Sequence, residues 1–418
     1  MMPAMPPRPF ESIAPVLLGT LSAQLALGVM TPLIPILLLR QGVSTQGIGF
    51  VASAYFLGFL AGALRADRIV MRVGHIRAFA VFAAVAADAA LFMTLVNSPW
   101  SWAVCRFLIG FQMSGLFLVI ESWLNDKTDA ASRGRTFGIY LLVSWLGAAG
   151  GPLLLKALQA SDRLFTIGGI AFATALLPMA LTPVSNPTIG ERSRFGILRL
   201  FRISPLGIVC CLTAGLVNSA FWAFIPVYLT ETGRDTDDIS TFVSIATITG
   251  MLVQYPIGLL SDRLGRRPVT LASLLLGLAA ALLMGWFSRG SLTELTIIGC
   301  LFAGVMAPVY GLGVGQTNDY IAPGDFVGAA GGLLFAWALG ASIGPSLAGA
   351  VVGMLGATGL FVYLAGMLAL VSLFTISRLF LRAGVPRDRQ SGFVPAPTAP
   401  AGLAELDPRA EPASLSDD

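Results

Sequence analysis

Residues 258–268 read GLLSDRLGRRP, and four of these eleven residues are charged, although only 11% of the whole chain is charged. Apolar stretches lie on both sides of this segment, at 238–260 and at 268–288. A short basic connection between two long apolar segments is typical of a loop that joins membrane-spanning helices on the cytoplasmic side. The segment therefore predicts a membrane protein and marks the point at which two of its spans meet.

The composition of the whole chain agrees with this interpretation. Of the 418 residues, 56% are hydrophobic, and the mean hydropathy is +0.80. A soluble protein would carry roughly 25% charged residues. Apolar runs of about 20 residues recur along the chain, and each is long enough to cross a hydrocarbon core of roughly 30 Å as a helix. We therefore expect an all-α membrane protein.

Twelve spans are predicted, in two groups of six. The first six are 13–39, 47–64, 76–96, 100–124, 135–158 and 164–182. The second six are 204–230, 238–260, 268–288, 292–318, 326–352 and 357–380. These groups predict an N-terminal six-helix bundle at 13–182, a cytoplasmic linker at 183–203 and a C-terminal bundle at 204–382, between a cytoplasmic N-terminus at 1–12 and a disordered cytoplasmic tail at 383–418.

The distribution of arginine and lysine predicts the orientation of the spans. If both termini are cytoplasmic, 20 of the 26 Lys and Arg residues lie on the cytoplasmic side, five lie outside and one lies within a span. Such an excess of positive charge is typical of cytoplasmic loops. The net charge of +4 is thus explained by topology, and we expect no nucleic-acid partner.

Two segments of the chain share one pattern of glycines. Gly138, Gly147 and the pair Gly151-Pro152 reappear 193 residues later, the last of them as Gly344-Pro345. The sequence Arg-Val-Gly at 72–74 corresponds to Arg-Leu-Gly at 263–265. Glycine is common wherever membrane helices pack closely, but two shared spacings at nearly one offset favour an internal repeat. Two equivalent halves predict a transporter with its site between them.

The chain resembles the major facilitator superfamily over residues 10–382. GLLSDRLGRR at 258–267 agrees with the loop signature G-x-x-x-D-R-x-G-R-R of that family, and Arg106-Phe-Leu-Ile-Gly110 looks like its R-x-x-x-G motif. The fifth span is similar to the antiporter motif G-x8-G-x3-G-P, although the motif's final Gly-Gly is missing. Segments at 121–125 and 318–319 resemble the uncharacterised bacterial YcaD-like branch.

The resemblance implies a gate built from the charged loop. Asp262 would dock at the start of the fifth span, near Arg133 and Arg135, while the cytoplasmic side is closed. A carboxylate at a helix start gains about 0.3–1 kcal/mol. In the first copy of the loop Met71 stands in place of the acid, and Asp67 is a candidate replacement. The complete set of gating candidates is Asp262, Arg263, Arg266, Arg267, Asp67, Gly147, Gly151, Pro152, Gly344 and Pro345.

Ionisable residues within spans are candidates for proton coupling, because burying a charge in the bilayer costs about 2.5–3.5 kcal/mol. The resemblance implies that Arg106 faces the cavity and tunes a proton or an anionic substrate; the alternative is a snorkelling or structural arginine. Glu121 is either a proton carrier or an anchor for the loop at 125–135. Asp88 is either a second proton carrier or a partner in a hydrogen bond between helices.

The family's cavity is lined by spans one, four, seven and ten. Their polar and aromatic residues are our candidates for substrate contact: Gln24, Gln112, Asn218, Trp222, Tyr310 and Gln316. Amides and aromatic rings with few charges suit a neutral, amphipathic or weakly charged ligand. Each of these side chains could instead serve only in packing.

These observations predict a secondary transporter of the bacterial inner membrane that moves a small organic solute by alternating access. The glycine pattern favours proton-coupled efflux, and the alternatives are proton-symport uptake of a sugar-like or organic-acid nutrient and a non-transporting scaffold or sensor. With a single histidine and no phosphate-binding Gly-Lys-Ser/Thr loop, we expect no enzyme activity, no metal, no cofactor and no use of ATP. The proton gradient would supply the energy, and the resemblance implies a monomer.

Overall fold

The computed structural model describes residues 9–128, 132–182, 196–287, 290–322, 325–381, 385, 390 and 392–395. Within these residues the chain forms fourteen helices and no strand. The first seven are α1 (Pro9–Arg40), α2 (Thr45–Val73), α3 (His75–Leu95), α4 (Pro99–Asp126), α5 (Arg133–Leu158), α6 (Arg163–Ala180) and α7 (Ile197–Ile203). The others are α8 (Pro205–Glu231), α9 (Thr236–Leu264), α10 (Arg266–Trp286), α11 (Leu292–Met306), α12 (Val309–Asn318), α13 (Phe326–Leu355) and α14 (Gly359–Leu381).

The prediction of an all-α protein with twelve membrane spans is confirmed. Twelve segments of the described chain are long and apolar enough to cross a membrane. The tenth consists of α11 and α12 together, whereas α7 is a short helix between the two groups of six. Most of the predicted linker, 183–195, lies outside the described residues, as does most of the predicted tail.

Successive spans run in opposite directions, so the connections lie at two faces. We call the face at which α1 begins and α14 ends the terminal face. It also carries the connections at Gly74 and Gly265. The other side, with the connections at Gly42 and Gly233, is the opposite face.

The charged segment at residues 258–268 is almost entirely helical. The helix α9 continues to Leu264, past the predicted end at residue 260, and α10 begins at Arg266. Only Gly265 connects them, with a backbone φ of 96°, and Gly74 connects α2 to α3 in the same way with a φ of 85°. Glycine adopts such left-handed angles without the steric cost that a side chain brings. The two one-residue connections are therefore equivalent features of the two halves.

Two pairs of the repeated glycines, Gly147 with Gly340 and Gly151 with Gly344, lie at equivalent helix contacts within the two halves. A Cβ atom at Gly147 would meet the Leu21 carbonyl oxygen of α1 at 2.8 Å, and one at Gly151 would meet α1 a turn later. Gly340 and Gly344 make the same contacts between α13 and α8, against the carbonyl groups of residues 212 and 216. Since small residues allow membrane helices to approach closely, this pattern explains why the glycines repeat.

The tenth span is broken where Pro308 separates α11 from α12. Proline lacks the N–H group that would continue the helix, and its ring clashes with the preceding turn. The Asn218 side chain of α8 donates a hydrogen bond to the carbonyl oxygen of Met306 at the break, at 3.5 Å. The break therefore lies against α8, in the middle of the second half.

The two halves meet closely on the side of the opposite face. Ser346 of α13 donates to the Ser53 hydroxyl oxygen of α2, from its hydroxyl at 2.8 Å and from its backbone N–H at 3.2 Å. The Ser240 hydroxyl of α9 donates to the Pro152 carbonyl oxygen of α5 at 2.6 Å. Nearer the face, Thr45 donates to the Gly349 carbonyl oxygen at 3.0 Å. These contacts close the bundle on this side.

Candidate functional site

A cavity lies between the two halves beneath this closure. It is lined by α1, α2, α4 and α5 of the first half and by α8, α9 and α13 of the second. It encloses about 1050 Å³ of empty space, including the part that is open to solvent. Sites for small molecules in bundles of helices commonly lie between the helices. The position of the cavity is the one expected of a site for a small solute.

Arg106 lines this cavity and lies against Tyr55. The guanidinium carbon is 4.4 Å from the centre of the tyrosine ring, a distance at which a cation is attracted to the face of an aromatic ring. Gly110 brings the two helices together, because a Cβ at this position would clash with the carbonyl oxygen of Tyr55. Gly58 on α2 is packed against the Phe107 carbonyl of α4 in the same manner. The spacing R-x-x-x-G thus serves to hold the arginine beside Tyr55.

Arg106, Tyr55 and Ser219 each place on the cavity wall a polar group that has no hydrogen-bond partner among the described residues. These groups are one guanidinium nitrogen of Arg106, the hydroxyl of Tyr55 and the hydroxyl of Ser219. Their residues are 7%, 3% and 5% exposed. Buried polar groups in proteins are nearly always hydrogen-bonded, so each exception calls for an explanation. A ligand in the cavity would provide the missing partner.

The remaining wall of the cavity is largely apolar and aromatic. The rings of Trp145, Trp222, Trp337 and Phe56 line it together with aliphatic side chains from α1 and α2. Trp337 is held by edge-to-face contacts with Phe56 and Phe59, at ring-centre distances of 5.9 and 5.8 Å. Apolar walls with a few fixed polar groups are the usual design of a small-molecule site.

Two of the six predicted cavity residues line this cavity, namely Gln24 and Trp222. The other four lie outside its lining: Gln112, Asn218, Tyr310 and Gln316. The amide of Asn218 is used at the break between α11 and α12, and Tyr310 and Gln316 lie on the short helix beyond it. The broken tenth span therefore contributes no side chain to this cavity.

Glu121 lies deeper toward the terminal face, fifteen residues after Arg106 on α4. It is 1% exposed, and its carboxylate accepts a hydrogen bond of 3.2 Å from the Tyr140 hydroxyl of α5. At 1.5 Å per residue Arg106 and Glu121 are about 22 Å apart along the helix. They lie at two levels of the protein rather than in one pair.

Asp88, the third proton-coupling candidate, is exposed on the outer surface of α3 and does not line the cavity. The structure therefore gives it no route to a solute bound between the halves. Asp67 is half-buried in α2, where its carboxylate accepts the backbone N–H of Arg68 at 2.8 Å.

The arginines of the charged segment make distinct contacts. Arg266 is 1% exposed and pairs with the equally buried Asp319 at the end of α12, at 2.7 Å. Arg267 donates to the Tyr320 hydroxyl at 2.7 Å, whereas Arg263 is exposed. Two of the predicted gating arginines thus hold α10 against the end of the tenth span within one half.

Asp262 contacts an arginine of its own half and a residue of the predicted tail at the terminal face. Its carboxylate lies 3.7 Å from Arg266 and accepts the backbone N–H of Phe393 at 3.1 Å. The Phe393 ring also packs against Gly258 and Gly311, on α9 and α12. Residues 392–395, which belong to the predicted tail, therefore lie beside the charged segment. The bundle is closed at the opposite face in this conformation. The docking of Asp262 at the start of the fifth span belongs to the state in which the terminal face is closed, and it stays a prediction.

Several residues of the site could not be singled out from the sequence. Tyr55 and Ser219 are ordinary polar residues within apolar runs, and Tyr140 and Asp319 carry no spacing that pairs them with Glu121 or Arg266. Trp145 and Trp337 stand at nearly equivalent positions of the repeat. This equivalence was a usable signal that both tryptophans line the cavity. Among the described residues, no group of three or more His, Cys, Asp or Glu side chains could hold a metal ion.

Two six-helix halves around a central cavity that is closed at one face define a membrane transporter. Comparison with known families agrees: the description of the Major Facilitator Superfamily matches residues 16–250 and 207–412. The chain belongs to this superfamily.

A relative in sequence supports the same assignment, and solved structures share the fold. The chain is 26% identical over 373 residues to the uncharacterized MFS-type transporter YcaD of Escherichia coli O45:K1, covering 88% of this chain and 94% of the relative. The nucleoside transporter NupG has a similar fold, with a TM-score of 0.76 at 14% identity, covering 89% of this chain and 99% of that one. A bacterial homologue of the human lysosomal transporter Spinster, in an inward-facing and unoccupied conformation, has a TM-score of 0.67 at 16% identity over 98% and 100% of the two chains.

Proposed function

We propose that this protein is a secondary active transporter that exports a small organic solute across the bacterial inner membrane in exchange for protons. The observation that carries the proposal is the cavity between the halves, which holds Arg106 and lies beneath a closed face. A non-transporting scaffold would need no such cavity. The incomplete antiporter pattern of the fifth span favours export, and proton-driven uptake of a nutrient is the alternative.

The distribution of basic residues supports the orientation. The terminal face, with Gly74 and Gly265, is the positively charged one and would be cytoplasmic. The opposite face would then be periplasmic, and the protein is closed toward the periplasm. In this state a cytoplasmic solute would be admitted, and opening of the contacts between α2 and α13 would release it outside.

The contacts at the closed face are weak enough to open. A hydrogen bond contributes about 0.5–1.5 kcal/mol to stability, and the closure uses a few hydroxyl and backbone groups such as Ser53, Ser240 and Thr45. Interconversion of two states requires that they differ by only a few kcal/mol. A closure made of such contacts meets this requirement.

Glu121 is the proposed proton carrier. Arginine stays protonated in proteins, so Arg106 can influence a proton but cannot exchange one. Glu121 is the buried carboxylate of α4, and it accepts a hydrogen bond from the Tyr140 hydroxyl of α5. A carboxyl group in this position would be protonated from one side and deprotonated toward the other as the halves move.

Proteoliposomes with a trapped pH-sensitive dye would test the proposal. A proton gradient is imposed, pools of candidate solutes are added, and the wild type is compared with Arg106→Ala and Glu121→Gln. Solute-dependent proton flux that both substitutions abolish is the expected result. The direction of solute movement relative to the gradient distinguishes export from uptake.

Asp88→Asn is the matched control, because it removes a carboxylate that is exposed on the outer surface of α3, whereas Glu121 is buried within the bundle. It should leave the coupled flux near the wild-type rate. If coupled flux persists in Glu121→Gln but is lost in Asp88→Asn, the proton is carried by α3 and our assignment to α4 is wrong.

A further inference from the structure

We infer that the cavity binds a small organic anion with one negative charge, most simply a carboxylate, attached to a flat apolar body. This inference rests on the proposed transport function and names its substrate class. It is more specific than the neutral, amphipathic or weakly charged ligand that the amides and aromatic rings of the sequence predicted.

The charge of the cavity is the first argument. Among the described residues that line the cavity, Arg106 alone is charged. It has no carboxylate partner in the described part of the chain; its neighbour is the face of the Tyr55 ring. A buried charge is costly unless it is paired and hydrogen-bonded. A single anionic group on the ligand would neutralise it, whereas a cationic ligand would be repelled.

The hydrogen-bonding groups are the second argument. The cavity wall presents a guanidinium nitrogen, a phenol hydroxyl and a serine hydroxyl that have no hydrogen-bond partner among the described residues, on Arg106, Tyr55 and Ser219. Arginine only donates, and the two hydroxyls are able to donate. Three donors without acceptors call for a group that is rich in lone pairs. A carboxylate accepts hydrogen bonds on both oxygens and donates none when it is ionised.

The aromatic walls are the third argument, and they define the rest of the ligand. Trp145 comes from the first half, and Trp222 and Trp337 come from the second. An apolar ring between them would bury its faces against aromatic surface, which favours offset or edge-to-face contacts. The ligand would thereby touch both halves at once, as is required if its binding is to influence their relative movement.

Binding of matched acids and amides to the purified full-length protein in detergent would test the inference. The pairs are benzoate and benzamide, 1-naphthoate and 1-naphthamide, and indole-3-acetate and indole-3-acetamide. Members of a pair have nearly the same shape and differ in charge. Microscale thermophoresis or isothermal titration gives the dissociation constants, and the expected result is about tenfold tighter binding of at least one acid than of its amide.

Arg106→Gln and Arg106→Lys separate charge from shape. The glutamine variant should lose the preference for the acid, and the lysine variant should retain part of it. The glutamine variant removes a buried charge, so it is expected to fold, and its melting temperature is checked first. Arg163→Gln is the control, because it removes an exposed arginine away from the cavity and should keep the wild-type preference.

The outcomes are distinguishable from failure of the proposed function. Equal binding of acids and amides, or an acid preference that survives Arg106→Gln, would overturn the inference. So would specific binding of the amides alone. Solute-dependent proton flux with a neutral compound would refute the inferred anionic substrate and support the proposed transport function. Binding of an acid without transport in liposomes would support the inferred anion site and refute the transport function.

Discussion

The buried pair of Arg266 and Asp319 offers a sharp test of what the charged segment does. The two side chains are each 1% exposed, and the Arg266 Nε atom lies 2.7 Å from the Asp319 carboxylate. Removing one partner of a buried ion pair costs about 3–5 kcal/mol, because the other charge remains buried and uncompensated. We therefore examine the substitution Asp319→Asn, which preserves the shape of the side chain and removes its charge.

Asp262 reduces the expected loss. Its carboxylate lies 3.7 Å from Arg266 and is 32% exposed, so it can offset at most about 1 kcal/mol. The expected destabilisation by Asp319→Asn is then about 2–4 kcal/mol. For a six-helix half of this protein, such a destabilisation corresponds to a fall in melting temperature on the order of 10 °C. Tryptophan fluorescence of the detergent-purified protein during heating would measure it.

Two further variants make the reasoning refutable. Arg263→Gln changes an exposed arginine of the same segment and should alter stability by less than about 0.5 kcal/mol. The double substitution Arg266→Met with Asp319→Leu removes both charges, and replacing a buried pair by apolar residues is often neutral or stabilising. If the double variant is as unstable as Asp319→Asn, the lost contact is one of packing and the electrostatic argument is wrong.

Three other predictions follow from contacts between helices. Gly110→Ala forces a Cβ against a carbonyl oxygen of α2 and should destabilise the protein by about 1–3 kcal/mol. Gly138→Ala changes a helix position with open space around it and should be neutral or stabilising. Thermal melting in detergent compares the two variants, and equal losses of stability would contradict the packing argument. Ser53→Ala removes the acceptor of two hydrogen bonds across the closed face and should raise the population of the conformation open at that face by about fivefold. Spin-label distances across the face measure this population, and an unchanged distance distribution would count against this closure. Asp262→Ala removes the acceptor of the Phe393 N–H, so hydrogen exchange at that amide should become faster by mass spectrometry, and unchanged exchange would show that the tail is held by other contacts.

Much of the architecture is encoded locally and could be predicted from the chain alone. A run of about 20 apolar residues must form a helix in a bilayer because its backbone polar groups have no other partners there. The number of spans follows from such runs, and the basic loops predict their orientation. The repeat was visible in Gly74 and Gly265 and in the glycines of the fifth and eleventh spans, since a left-handed turn and a close helix contact each demand glycine at one position.

The identity of the cavity residues was decided by the tertiary structure. Of the candidates named from the sequence, Arg106 and Gln24 line the cavity, whereas Gln112 and Gln316 lie outside the lining. In an apolar helix the hydrophobic pattern gives little information about which side faces a neighbour, because lipid and protein interior are both apolar. The direction of each side chain depends on packing between helices, such as that around Gly110, and on the break at Pro308.

The pairing of charges was likewise a matter of tertiary structure. Arg266 and Asp319 are 53 residues apart in the chain, and Glu121 meets Tyr140 across two helices. The sequence by itself determined that each ionisable residue within a span needs a partner or a function, since an isolated charge in a low-dielectric interior is costly. Only the three-dimensional arrangement decided that Arg266 has its partner within the protein, whereas Arg106 faces a cavity in which a ligand can provide one.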